Sequence, residues 1–253
     1  MSGKKIVFIT GATAGFGEAM ARRFAAAGHS LVLTGRRADR LAKLKGELKA
    51  PVHTIVFDVQ DRAAVEKAVA ALPDQFKAVD ILVNNAGLAL GLEPAHKVAL
   101  SDWEQMVDTN IKGLLYVTRA LLPGMVERDR GHVVNLGSVA GTYPYPGGNV
   151  YGGTKAFVHQ FSLNLRADLI GSRVRVTCIE PGMAETEFSV VRFKGDAGKA
   201  GDVYKGMQPM TPDDIARTIE FITTILPDHV NINTIEMMPV MQAFGPFVVK
   251  RQG

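Results

Sequence analysis

The 253-residue sequence has one cysteine, one tryptophan, no apolar run long enough to cross a bilayer and no block of like charge. Each shortage excludes something. With Cys178 alone, no disulfide framework can form within the chain, and its place in the apolar run Val174 to Ile179 marks a buried core residue. A membrane span needs about 20 apolar residues, and a strand pattern starts too close to the N-terminus for a signal peptide, so the expected compartment is the cytosol, with no membrane partner. The net charge of +4 comes from 29 basic and 25 acidic residues. They are interleaved, without an aromatic-basic stripe, which argues against nucleic acid as a partner. His29, His53, His96, His132, His159 and His229 show no metal-ligand spacing, so no metal is expected. What remains, at 47% hydrophobic residues, is a chain able to bury a sizeable core as one α/β domain.

The first half alternates strands and helices. Lys5 to Thr10 reads as a buried strand that runs into Gly11-Ala12-Thr13-Ala14-Gly15-Phe16-Gly17 and a helical segment, Glu18 to Ala27. Strand, glycine-rich turn and helix N-terminus in that order make an anion cradle, because glycines let backbone approach a phosphate and free N–H groups point at it. The glycine spacing is longer than the G-x-G-x-x-G form. A second strand, Ser30 to Leu33, ends in Thr34-Gly35-Arg36-Arg37. In a dinucleotide fold a carboxylate here would hold the ribose hydroxyls of NAD, whereas arginine accommodates the extra phosphate of NADP. There is no acid, so NADP is favoured, with Arg36 the first choice and Arg37 either a second contact or the solvated start of the helix Asp39 to Leu48. The third strand, Val52 to Phe57, ends at Asp58 and Val59. Asp58 could accept from the adenine amino group or cap the next helix, Ala63 to Leu72. The fourth, Ile81 to Val83, ends in Asn84-Asn85-Ala86-Gly87, small and amide residues suited to bracing a ligand-lining turn.

A long helix is expected from Ser101 to Leu122, with Ser101 and Glu104 as a capping box. Trp103 reads as packing, while Asn110 is neither a strong helix former nor an obvious core residue. The fifth strand, His132 to Leu136, ends in Gly137-Ser138. No hydrolase pattern accompanies Ser138, which reads as a hydrogen-bond donor rather than a nucleophile. After the turn-rich Tyr143 to Gly148 comes Tyr151-Gly152-Gly153-Thr154-Lys155, opening a helix whose Phe157, Phe161, Leu165 and Leu169 recur four apart. Tyr151 and Lys155 then stand one turn apart on one face. An ammonium there favours the phenolate, so the pair reads either as a general acid/base or, on spacing alone, as a Tyr-Lys surface pair, and only its surroundings can decide. A sixth strand, Arg173 to Ile179, precedes Glu180-Pro181-Gly182 and an irregular stretch from Met183 to Met210, whose Phe188, Arg192, Phe193 and Lys194 suit a lid over a small anionic substrate. A guanidinium makes the bidentate contact a carboxylate needs, so Arg192 is the candidate substrate ligand. A capped helix from Thr211 to about Leu226, a seventh strand from Asn231 to Met237 and an apolar tail, Met238 to Val249, suggesting a partner subunit, complete the chain.

On these residues the chain resembles the short-chain dehydrogenase/reductases along essentially its whole length. The signatures are Thr10-Gly-x-x-x-Gly15-x-Gly17, Asn84-Asn-Ala-Gly87, Ser138 and Tyr151-x-x-x-Lys155, with Asn110 at the helix position that completes the family's catalytic tetrad. Gly148 to Val158, Gln160 to Arg166 and Thr186 to Gly195 look like the NADP-dependent 3-hydroxy acid dehydrogenases. The resemblance implies a single Rossmann-type doubly wound domain with a seven-stranded parallel sheet. It implies NADP held by Gly11, Thr13, Ala14, Gly15, Phe16, Gly17, Arg36, Arg37, Asp58, Val59, Asn85, Ala86, Gly87, Tyr151 and Lys155, with Pro181, Gly182, Met183 and Thr186 lining the nicotinamide. Asn110, Ser138, Tyr151 and Lys155 are implied as catalytic, and Ser138 and Tyr151 as touching the substrate, a small 3-hydroxy acid such as L-serine, L-allo-threonine, 3-hydroxypropionate or 3-hydroxyisobutyrate, or malonic semialdehyde in reduction. A homotetramer is also implied. The alternatives are a broad carbonyl or 3-oxoacyl-thioester reductase, which a carboxylate-binding loop disfavours, and a non-catalytic NADP(H)-binding regulator, which would not need Ser138, Tyr151 and Lys155.

Overall fold

Along β1 (Ile6–Ile9) the side chains of Val7 and Ile9 enter one apolar layer and Phe8 enters the other, all three inaccessible to solvent. Such strands must be covered on both faces, which is the situation of a parallel sheet between helices. The computed structural model, which describes residues 3–245, shows that arrangement. β2 (Ser30–Gly35), β3 (Val52–Val56), β4 (Ile81–Asn84), β5 (Gly131–Leu136), β6 (Val174–Pro181) and β7 (Thr234–Met237) join β1 in a parallel sheet of order β3-β2-β1-β4-β5-β6-β7.

One face is covered by α1 (Gly15–Ala26), α2 (Ala38–Glu47) and, from the far end of the chain, the helix Pro212–Glu220. The other takes α3 (Arg62–Ala70), the single turn α4 (Asp74–Lys77), and the helices that follow β4 and β5. Each large apolar side chain fully buried in these layers contributes roughly 1.5–3 kcal/mol. Chain order reverses between β1 and β4, so their carboxyl ends diverge and leave a crevice.

Several boundaries differ from the sequence reading. α5 (Leu100–Val107) starts one residue early, with Ala99 as its N-cap and no side-chain cap, so Ser101 lies inside the first turn and the expected capping box does not form. The helix then widens into a π-helical segment, Asp108–Gly113, before α6 (Leu114–Glu127). α7 (Asn149–Asp168) buries Tyr151, Lys155, Val158, Ser162 and Leu165, spaced alternately four and three apart. The stretch expected to be irregular holds α8 (Glu187–Arg192) and α9 (Ala197–Asp202). Six residues are too few for periodicity to register, but each helix has a side-chain cap: Thr186 accepts from Phe188 N–H and Asp196 from Lys199 N–H. α10 (Pro212–Glu220) has the expected Thr211 cap and passes into a second π turn, Phe221–Ile225. β7 starts three residues late because the Asn231 side chain, not its backbone, pairs with Val176 N–H and C=O. Of the apolar tail, residues 246–249 lie outside the described residues.

Candidate active site

At the carboxyl ends of the central strands lies a cleft of about 340 Å³. It is lined by Gly11, Thr13, Ala14, Gly15 and Phe16 from the turn after β1, and by Arg36, Arg37, Asp58 and Val59 after β2 and β3. Asn85, Ala86, Gly87, Ser138, Tyr151, Lys155, Pro181, Gly182 and Thr186 complete the predicted set that reaches it. Gly17, Met183, Asn110 and Arg192 do not line it. Gly17 is instead where α1 packs on the turn: a Cβ there would stand 2.3 Å from Gly11 O.

The entrance end fits a dinucleotide. Gly11 and Gly15 have φ of +65° and +52°, conformations open to glycine. Ala14, the N-cap of α1, offers no side-chain acceptor, so the first N–H groups of a 12-residue helix are uncapped by a side chain at the cleft. The turn is braced from β4: Asn85 Nδ2 donates to Thr10 O and Gly11 O, and Thr10 Oγ1 accepts from Asn85 and Ala86 N–H. The two arginines are not equivalent. Arg37 is committed, donating to Thr13 Oγ1 and pairing with Glu187 at 3.0 Å. Arg36 has a side chain 60% exposed and one long contact, 3.4 Å, to Asp58. Asp58 does not cap α3. That cap is Asp61, which accepts from Ala64 N–H, while Asp58 Oδ1 accepts from Gln60 N–H.

At the inner end Ser138, Tyr151 and Lys155 converge, each no more than 8% exposed. Ser138 Oγ accepts from Ala140 N–H at 3.1 Å and donates to Pro181 O at 3.4 Å. Burial pushes the Tyr151 phenol up to about 12, against Arg192 and Ser138, which favour the phenolate. Lys155, the cation expected from the sequence, stands beside the same ring. Its Nζ sits 5.8 Å from the Tyr151 ring centroid and donates to Leu136 O at 2.7 Å, and burial pushes the ammonium down to about 8. The nearer cation over the ring is Arg192, at 5.1 Å.

Asn110 is 2% exposed inside the π segment, and its amide clasps both ends of one residue: Oδ1 accepts from Leu88 N–H at 2.9 Å and Nδ2 donates to Leu88 O at 2.8 Å. Nδ2 also donates to Thr154 Oγ1, which in turn donates to Tyr151 O. The wider turn of a π segment buries Thr109 and Asn110 side by side. Thr154 was not singled out in the sequence, although its place between Tyr151 and Lys155 carried the signal.

Arg192 stands just beyond the cleft wall in an aromatic cage of Tyr145, Tyr151 and Phe188, with 5.9, 5.1 and 5.2 Å to the ring centroids. Nη2 donates to Tyr145 Oη at 3.1 Å, and Nε is buried with no hydrogen-bond partner among the described residues. α8 spans the cleft mouth. Glu187 pairs with Arg37 and Arg40, Arg192 O accepts from Gly91 N–H, and Lys194 pairs with Asp102. Phe188 lies where the expected lid would put it, whereas Glu187 and Tyr145 were missed as site residues because their roles depend on where α8 folds back.

Residues 5–196 match the short chain dehydrogenase family. The sequence is 62% identical over 247 residues to an NADP-dependent 3-hydroxy acid dehydrogenase of Salmonella typhi, covering 97% of this chain and 99% of that protein. It is 58% identical over 246 residues to a serine 3-dehydrogenase of Agrobacterium fabrum, covering 97% and 98%. Its fold is similar to the closed form of a serine dehydrogenase complexed with NADP+, with a TM-score of 0.96, 59% identity, and coverage of 98% of this chain and 100% of that one.

Proposed function

The chain belongs to the short-chain dehydrogenases, and from that premise we propose that it exchanges hydride between NADP and the carbon bearing the 3-hydroxyl of a small 3-hydroxy acid, or reduces the corresponding semialdehyde. It is an NADP-dependent oxidoreductase acting on CH–OH groups. When bound, NADP accepts or supplies the hydride; the chain's residues do the rest. Gly11 to Phe16 and the N-terminus of α1 take the phosphates, and Arg36 takes the phosphate that distinguishes NADP from NAD. Lys155, Pro181, Gly182 and Thr186 fix the reactive end.

In this reading Tyr151 Oη removes the substrate hydroxyl proton in oxidation and returns one in reduction. Ser138 Oγ donates to the substrate oxygen as negative charge develops there. Asn110 is a positioning residue, holding Leu88 and, through Thr154, the first turn of α7. The observation that carries the choice of substrate is Arg192: a guanidinium held 5.1 Å from the Tyr151 ring, with a buried Nε that has no partner among the described residues. It would take the acid's carboxylate.

The test is initial-rate NADPH formation on L-serine, L-allo-threonine, 3-hydroxypropionate and 3-hydroxyisobutyrate, repeated with NAD. Turnover with NADP on at least one acid is expected. Arg192→Gln should raise KM for 3-hydroxypropionate at least about tenfold, one lost charge-assisted contact, while changing KM for an uncharged 3-hydroxy ester little. Equal losses on acid and ester would remove Arg192 from the carboxylate role. The compartment we propose is the cytosol, supported by the economy of cysteine, and the assembly we propose is a homotetramer.

A further inference from the structure

We propose that His159, Cys178 and Glu180 form a three-ligand binding site for a zinc-class divalent cation behind the catalytic floor. Cys178 and Glu180 are two apart on β6 and so share a face, and His159 comes to them from α7, one turn beyond Lys155. One ligand atom from each lies within 4.8 Å of the others. His159 Nδ1 is 2.6 Å from Glu180 Oε1, and Cys178 Sγ is 3.6 Å from the same oxygen.

Zinc bonds of about 2.0–2.3 Å put tetrahedral neighbours about 3.3–3.8 Å apart. The His159–Glu180 pair must therefore open by about 0.7 Å, giving up its hydrogen bond, and the widest pair, within 4.8 Å, close by up to about 1 Å. Sulfur, nitrogen and oxygen together suit zinc, cadmium or cobalt, not magnesium or calcium, which take oxygen alone. Glu180 is 2% exposed, and a buried carboxylate is offset best by a paired charge or a metal. The His159 side chain is 33% exposed, so it gives an entry route and leaves a fourth position for water. On binding, the thiol proton leaves to solvent. The cluster underlies Gly137, where a Cβ would stand 2.8 Å from Cys178 Sγ and 3.0 Å from Glu180 Cγ. Linear histidine spacing hides the set because its ligands come from two elements.

Because Cys178 is the chain's sole cysteine, a thiolate-to-metal charge-transfer band can arise only there. Titration of the full chain with cadmium chloride should give an ultraviolet band saturating at one metal per chain and absent in Cys178→Ser. His159→Gln alters a partly exposed side chain, leaves the fold intact, and should weaken the binding at least about tenfold. Excess magnesium or calcium should not displace the band. No band in the wild type, or a His159→Gln titration superimposable on it, would overturn the proposal.

Discussion

Lys155 is nearly inaccessible, and burial pushes its ammonium down to about 8 from the ordinary 10.5. A folded-state pKa below the unfolded one means that stability is present above about 10.5 and lost as pH falls through about 8. At 1.36 kcal/mol per unit the loss at neutral pH is on the order of 3 kcal/mol. Lys155→Met removes that cost along with a hydrogen bond to Leu136 O worth about 1 kcal/mol. The cofactor-free variant should be more stable than wild type by about 2 kcal/mol near neutrality in urea unfolding, and the advantage should vanish as pH approaches 10.5. Its turnover should fall at least about 100-fold. Equal stabilities at both pH values would mean that Lys155 is accommodated without cost. Arg36 is the complementary case, exposed and with a 3.4 Å contact to Asp58, whereas Arg37 is tied to Thr13 and Glu187. Arg36→Ala should raise KM for NADP about tenfold or more and leave NAD within about twofold. Equal effects on both cofactors would make Arg36 structural.

At the scale of elements, α8, which lines the cleft, and α9, which follows it, are held by polar ties rather than by a deep apolar seam. Ser189 and Ala200 are their only fully buried residues among those described, and the Glu187 pairs with Arg37 and Arg40 are on exposed side chains. Exposed pairs contribute about 0.5 kcal/mol each. Glu187→Gln weakens both, so the population of the open lid should rise about fivefold, read as faster tryptic cleavage between Lys194 and Lys205. An unchanged cleavage rate would show that Arg192 O to Gly91 and Lys194 to Asp102 close the lid unaided. These two helices are also where sequence reading ran out. The sheet could be read because most of its strands, β1, β2, β4, β5 and β6 above all, are compact apolar runs closed by glycine, amide or charged residues, and α7 because its buried positions follow one helical face. Six-residue helices fixed by a single capping side chain leave no period to detect. The π segment at Asp108–Gly113 was visible only as a misplaced Asn110.

For the whole molecule, the same contrast separates the parts of the site. Tyr151, Lys155, Ser138 and the glycine turn lie at strand ends or one helical turn apart, so spacing along the chain places them. The cage around Arg192 joins Tyr145, Tyr151 and Phe188 across segments more than 30 residues apart, and only folding brings it together. Surface composition extends that logic to assembly. Phe157 and Phe161 stack at 5.9 Å on α7, with Phe157 36% exposed, and Val240, Met241 and Phe244 project from the last described segment. Apolar groups so concentrated on one helix and one tail are expected to meet copies of themselves. Light scattering coupled to size exclusion should therefore give four times the chain mass of 27.2 kDa. Phe157→Asp sets a like charge against its counterpart wherever α7 meets α7 across a two-fold axis, and should reduce the species to dimer or monomer with the helical content retained. A wild-type chain that stays at 27.2 kDa at micromolar concentration would leave those aromatic side chains without the partner proposed for them.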